Sequence, residues 1–340
     1  MSSQAMDEDA LVALLLAEVA AAGAATSAPH VAVGPGGDDA AVLRAAPDQD
    51  LVWTVDDHVE DVHFRAAWGW AAAGRKAVGA CLSDLAAKGA APLGALVSLH
   101  LPRGLGEEAL RALARGLGAG LAACGCPLLG GNLTAHPERA AISTSALGAV
   151  PRGRARLRTT ARPGDLLCVT GPLGLARAGL AWLEAGRAPD DPLAAAAVER
   201  LLAPRPRFDV ARALAAADPD ARVACMDLSD GLARDLPRLL RAAGVAATLD
   251  AGAIPGPDPA LLAALGRQPD QQLDPQLDGG LDPATAAWLG GEDYELLLAG
   301  PAELLGPLGL PVIGRVEAGP PGQVAGAPGG AGGFDHFAGA

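Results

Sequence analysis

Lysine is almost missing from this sequence. Lys76 and Lys88 are the only two, so 24 of the 26 basic residues are arginines. A mechanism centred on a lysine nucleophile or Schiff base therefore has two addresses at most. Aromatic residues are scarce as well, 3% in all, so the core must be built from Ala, Val and Leu. Positive charge is in deficit: 26 basic against 39 acidic residues gives −13. That balance argues against a nucleic-acid partner, whose phosphates are bound by Lys and Arg. No apolar run is long enough for a membrane, because the stretch 11–25 is interrupted by Glu18 and falls short of about 20 residues. The start, MSSQAMDEDA, is acidic, unlike the basic start of a signal peptide, and a cytoplasmic protein with no membrane partner is expected. The cysteines number five, and the closest pair, Cys124-Gly-Cys126, lacks the spacing of a redox or zinc motif. Reduced, buried thiols are expected.

Familiar catalytic signatures are missing too. There is no His-Glu-x-x-His and no Gly-x-Ser-x-Gly. Gly69-x4-Gly74 has the spacing of a phosphate-binding loop, but Arg75 follows it, no Ser or Thr follows Lys76, and the run lies in a helical pattern. Gly34-x-Gly36 begins like a dinucleotide fingerprint, yet Asp39 stands where the third glycine belongs.

At 340 residues, half of them apolar, the chain is globular and long enough for two domains at roughly 150 residues each. Apolar spacing predicts helices over 7–22, 68–89, 107–123 and 175–185. Strands are predicted over 40–43, 51–55, 95–101, 140–150 and 166–170, with another ending at Met226. The segment 154–163, with four arginines and little that is apolar, marks a boundary between domains 1–150 and 151–340. Most of 252–284 reads as loop around a short helix near Leu261, and 317–333 is similarly loose. Alternation of strands and helices makes the fold class α/β or α+β, each domain a sheet covered by helices on one side.

What the chain does have is carboxylates in short Gly-containing contexts: Asp38-Asp39, Asp56-Asp57 with Glu60 and Asp61, Ser83-Asp84, Asp227-x-Ser229-Asp230-Gly231 and Glu292-Asp293. All but Asp84 fall at or just after a strand-like run. Singly, such acids serve as turn residues and helix caps. Converging, they repel by several kcal/mol at short range unless a cation occupies the cluster. Oxygen ligands without His or Cys favour Mg²⁺ or Ca²⁺. A multi-carboxylate site without a phosphate-binding loop points to metal-assisted phosphoryl transfer, with the substrate left open.

The segments GGDDAAVL (36–43), TVDDHVEDVHF (54–64), LSDLAAKGAAP (82–92), GGNLT (130–134), ARPGD (161–165) with VTGPLG (169–174), MDLSDGLARDL (226–236), GGEDYELL (290–297), IGRV (313–316) and GFDHF (333–337) occur in one order along the chain. Together they resemble the thiamine-monophosphate kinase family of the aminoimidazole ribonucleotide synthetase-like superfamily. The resemblance implies ATP-dependent conversion of thiamine monophosphate to thiamine diphosphate, with several Mg²⁺ ions. It implies an N-terminal sheet-plus-helices domain, binding Mg²⁺ and ATP and pairing across a homodimer, and a C-terminal α/β domain completing the nucleotide and substrate site. Asp39, Thr54, Val55, Asp56, Asp84, Asn132, Asp227 and Asp230 would be metal ligands, with Asp56 and Asp84 the bridging ligands and catalytic pair. Gly131, Asn132, Arg158 and Ser229 would meet ATP. His63, Glu292 and Phe334 would meet the thiamine phosphate. Ser229 is also a candidate N-cap of the helix from Gly231 onward. The alternatives are another ATP-using member of the superfamily and a non-catalytic nucleotide-binding relative.

Two positions depart from the family pattern. Val55 stands where a second Thr is usual, and Asn132 stands where the family's GGDTT has a metal-binding aspartate. Asn offers a neutral oxygen and removes one negative charge. Asn132→Asp is expected to lower the Mg²⁺ concentration at half-maximal rate, measured by a magnesium titration of turnover; an unchanged dependence would contradict the assignment.

Overall fold

In the computed structural model, which describes residues 8–33, 42–44, 46–266 and 282–329, the chain opens with helix α1 (Glu8–Ala21) and a short antiparallel pair, β1 (Val31–Val33) with β2 (Val42–Leu43). Next come β3 (Gln49–Val59), α2 (Trp70–Lys88), β4 (Ala91–Pro102), α3 (Glu107–Ala123), β5 (Leu128–His136) and β6 (Ala141–Pro151). The chain divides into two compact units, residues 1–85 with 90–153 and residues 86–89 with 154–340.

The first unit is built on one four-stranded sheet of order β3-β6-β4-β5. Strand β6 runs antiparallel to β3 and β4, and β4 runs parallel to β5. Helix α3 carries Glu107 and Glu108 in its first turn, where negative charge meets the positive end of the helix dipole. Its leucines 110, 113, 117 and 121, three or four residues apart, form the buried stripe. Gly74 of α2 backs onto this helix: a Cβ there would lie 2.6 Å from the Leu113 carbonyl oxygen and from the Leu117 nitrogen. Helix packing thus accounts for the glycine that mimics a phosphate-binding loop.

Strand β3 is longer than its apolar residues suggest. The ladder with β6 continues to Val59 opposite Ala141, so Asp56 and Asp57 lie inside the strand rather than after it. Period two then sorts the strand into two faces. Thr54, Asp56 and His58 share one face, while Leu51, Trp53 and Val55 share the other, 53%, 75% and 66% exposed. Strand β5 was not anticipated, because Gly130 and Gly131 interrupt its apolar pattern; its ladder to β4 carries both glycines.

The second unit adds β7 (Leu166–Val169), α4 (Leu175–Glu184), α5 (Pro192–Leu202), α6 (Phe208–Ala217), β8 (Ala224–Asp227) and α7 (Leu232–Ala243). It continues with β9 (Ala246–Leu249), α8 (Pro259–Leu265), α9 (Pro283–Leu289), β10 (Leu296–Gly300), α10 (Ala302–Leu305), β11 (Val312–Glu317) and β12 (Val324–Ala325). The sheet order is β12-β9-β11-β7-β10-β8, antiparallel except for β12 beside β9. Helices cover both of its faces, not one. Leu167, Val169 and Leu297 pack with Leu232, Leu236 and Leu239 of α7, whereas Leu166, Cys168, Leu296 and Leu298 pack with Val210 and Leu214 of α6. Fully buried strands explain the continuous apolar runs here.

All five cysteines are free and four are buried; burial is the first cause raising each thiol's pKa. Among the described residues no helix is long and apolar enough to cross a membrane.

Beneath this sheet Arg156 (3% exposed) and Asp218 (2% exposed) form an ion pair at 2.5 Å. Arg156 also donates to the Leu214 and Asp218 carbonyls. Burial works against the Asp218 charge, yet the Val223 N–H and the Arg156 guanidinium hold its carboxyl below the usual range. Its stabilisation is therefore present above pH of about 4 and lost as pH falls through the lower folded value. Arg156→Met strands a buried carboxylate and is expected to cost about 3–5 kcal/mol in urea unfolding at pH 7, with a smaller loss at pH 3.

Candidate active site

In the first unit, strand β3 and helix α2 present the carboxylates together. The Thr54 hydroxyl donates to Asp84 Oδ2 at 2.6 Å, joining the strand to the helix. Asp56, two residues along the same face, accepts the Asp57 N–H at 2.9 Å. Asp56 and Asp84 both raise the pKa of the buried Cys81 thiol, after burial itself. That thiol stays neutral and leaves oxygen as the only charged donor here. Val55 points its side chain to the opposite, exposed face, so only its backbone is on offer beside Thr54.

His63 stands in the turn after β3. Its Nδ1 accepts the Val59 N–H at 3.0 Å, which puts the hydrogen of the neutral ring on Nε2. Asp61 in this turn adopts φ +65, and Arg139 lies 3.4 Å from its carboxylate. Asn132 is exposed on β5 and donates to the Thr134 hydroxyl at 3.0 Å; Gly131 precedes it, exposed and opposite Val97 of β4.

Two residues of this region were given no place in the site from sequence. His58 (1% exposed) and Lys76 (1% exposed) are buried. The His58 ring lies 5.3 Å from the His63 ring at a tilt of 47°, and neither of its ring nitrogens has a hydrogen-bond partner. Burial, then Lys76, then His63 push its pKa well below the usual histidine value, so it is neutral. The period-two alternation Thr54, Asp56, His58 was the available signal.

In the second unit two loops are laced through their backbones. The Glu292 N–H donates to the Ser229 carbonyl (2.7 Å), Tyr294 to Leu228 (3.0 Å), and Leu228 to Glu295 (2.8 Å). Glu292 and Tyr294 take φ of +64 and +51. Glu292 and Asp293 precede β10 instead of following a strand, because the loop 290–295 leads from α9 into it. Asp293, buried, accepts N–H groups from Gly174 and Ala176 at the start of α4. Burial pushes its pKa up to about 7 against those hydrogen bonds. Asp227 ends β8, and Ser229 and Asp230 follow in the loop before α7. The N-cap of α7 is Gly231, with no side-chain cap, so Ser229 does not cap it.

Of the four arginines in 154–163, Arg154 pairs with Asp220 and Arg156 with Asp218. Arg158 is exposed at the head of a short 3-10 turn. Asp39 and Phe334 lie outside the described residues. Among the described residues no three His, Cys, Asp or Glu side chains converge to hold a metal by themselves. Thr54, Asp56 and Asp84 in the first unit, and separately Asp227 and Asp230 in the second, nevertheless offer only oxygen, which fits Mg²⁺, an ion that takes one or two carboxylates and completes its shell with water and substrate phosphate.

Residues 37–150 match the AIR synthase related protein N-terminal domain, and residues 162–277 match its C-terminal domain. The thiamine-monophosphate kinase of Synechococcus elongatus is 38% identical over 266 residues, 77% of this chain and 76% of the relative. The chain belongs to the thiamine-monophosphate kinase family. The crystal structure of the Stenotrophomonas maltophilia thiamine-monophosphate kinase superposes with a TM-score of 0.76 at 31% identity, covering 92% of this chain and 96% of that one. AaThiL, solved in complex with AMPPCP and TMP, gives 0.74 at 29% identity over 99% and 100%.

The loops that carry the family's DxSDG and GGED runs touch at Gly231, whose φ is +97 and where a Cβ would sit 2.6 Å from the Gly290 carbonyl oxygen. Gly231→Ala is expected to cost at least about 2 kcal/mol in denaturant unfolding and to lower turnover beyond the loss of folded protein. Wild-type stability and rate in this variant would contradict the packing described.

Proposed function

We propose that this chain phosphorylates thiamine monophosphate with ATP, giving thiamine diphosphate and ADP. The observation that carries the reading is similarity to thiamine-monophosphate kinases along the length of both chains, including a neighbour that binds AMPPCP and TMP. The proposed metal ligands are Asp39, Thr54, the Val55 backbone, Asp56, Asp84, Asn132, Asp227 and Asp230. Gly131, Asn132, Arg158 and Ser229 are assigned to ATP, and His63, Glu292 and Phe334 to the thiamine phosphate.

The nucleophile is a phosphate oxygen, already anionic near neutral pH because the second pKa of a phosphomonoester is about 6. No general base is needed, so a site of fixed acids with neutral histidines suffices. The obstacle is repulsion between two polyanions. Bound Mg²⁺ supplies charge neutralisation and polarises the phosphoryl oxygens. Asp56 and Asp84, the latter held by Thr54, fix the oxygens that position the charge. His63 offers Nε2–H as a phosphate donor, its ring oriented by the Val59 N–H. Arg158 is exposed and suited to a phosphate oxygen. Transfer is direct and in line, with no phosphoenzyme.

The exposed face of β3 supports a homodimer. Leu51, Trp53 and Val55 form an apolar row on a sheet edge, a surface that a second copy would cover. Trp53→Glu is expected to move the protein to monomer in sedimentation velocity; an unchanged sedimentation coefficient would exclude this face.

The activity is tested with purified protein, Mg²⁺, ATP and thiamine monophosphate, following thiamine diphosphate by chromatography with free thiamine and no acceptor as controls. Product from the monophosphate alone is expected. Bound ATP without product overturns the reading in favour of another acceptor or a binding protein.

A further inference from the structure

Asp230 is already paired with a positive group of the chain itself. Arg238 Nη1 lies 2.5 Å from Asp230 Oδ2 and 2.8 Å from Asp235 Oδ1. Asp235 has no exposed side-chain surface and accepts the Asp230 backbone N–H at 3.0 Å. One guanidinium nitrogen thus serves two carboxylates, one in the loop before α7 and one on its first turn, and the buried one also fixes the backbone of the other. Arg238 is 37% exposed and Asp230 23%, so the arginine can leave Asp230 for solvent while the helix stays packed.

We propose that Arg238 is an internal competitor for the divalent cation at Asp230, one that makes Mg²⁺ alone bind there weakly and load best in the company of an anionic nucleotide. This rests on the reading of Asp230 as a metal ligand. The carboxylate oxygen held by the guanidinium is not available to a metal ion at the same time. A metal ion on the other oxygen would sit a few ångströms from a like charge, which opposes it. A polyphosphate arriving with the ion gives the displaced guanidinium a new anionic partner and removes the opposition. The arginine therefore screens the acidic pair in the absence of nucleotide and sets the order in which the site fills.

The test is calorimetric titration of Mg²⁺ alone into the full chain, for wild type, Arg238→Gln, Arg238→Lys and Asp230→Asn, with thermal unfolding of each. Arg238→Gln is expected to tighten Mg²⁺ binding by about three- to tenfold, the size of a partly exposed charged hydrogen bond. Arg238→Lys keeps a cation for the buried Asp235, which guards the fold, and is expected to tighten binding by a smaller factor. Asp230→Asn is expected to weaken it. Weakening in Asp230→Asn with no tightening in either Arg238 variant overturns the proposal while leaving Asp230 a ligand. Unchanged binding in Asp230→Asn overturns the ligand reading and the proposal with it.

Discussion

The second unit is organised around a carboxylate with no exposed surface. Glu295 is fully buried, yet Arg200 meets one of its oxygens at 2.6 Å and Arg207 the other at 2.7 Å. The Thr170 hydroxyl donates to the same carboxylate and accepts the Leu296 N–H. A buried charge persists only when its lost hydration is replaced to this extent. The replacement comes from α5, from the start of α6 and from the end of β7, so one side chain ties three elements to the first residue before β10. The loop 290–295 is consequently held at Glu295 and again at Asp293, whose carboxyl meets the start of α4. On either side of Asp293, Glu292 and Tyr294 keep left-handed backbone that an L-residue adopts only under constraint. The same loop carries the Ser229 and Leu228 backbones through three hydrogen bonds, which is how the Glu295 ion pairs set the position of the DxSDG loop.

The first unit solves a related problem with different means. Its acids sit on a strand and a helix, rigid elements, and a single hydroxyl, that of Thr54, joins them. Rigid placement matters because a net charge of −13 gives no general attraction for anionic substrates. Discrimination must come from fixed local groups, and the chain supplies arginines rather than lysines for that purpose. Guanidinium forks suit carboxylate and phosphate alike, and here they are divided between a buried clamp (Arg156), half-buried ones (Arg200, Arg207) and exposed positions such as Arg158.

Much of this was legible in the residues. The 107–123 helix follows from two glutamates ahead of a leucine stripe, and its bounds agree to the residue. The motifs in their order carry the family, because several of them (GGDD, SDG, GGED, GFD) set a glycine beside an acid. Other features were not legible for physical reasons. Strand β3 runs on through Asp56, Asp57 and His58 because its ladder to β6, a long-range pairing, overrides the polarity of those residues. Strand β5 hides behind two glycines that suit a close ladder but not an apolar pattern. Strand direction and the second helical layer of the 154–340 unit depend on which strands become neighbours, information that periodicity does not hold. Asp235 and Arg238 look like ordinary helix charges until the fold brings them onto Asp230. Asp39 and Phe334 remain assignments from resemblance alone.

The claim that most of this depends on is that Glu295 positions the site loops, beyond adding to overall stability. Amide hydrogen exchange of Glu295→Gln against wild type tests it directly. Faster exchange is predicted at Glu292, Tyr294 and Leu228, with β9 and β11 keeping their protection. Uniform acceleration across the unit, or unchanged exchange at those three amides, would contradict it.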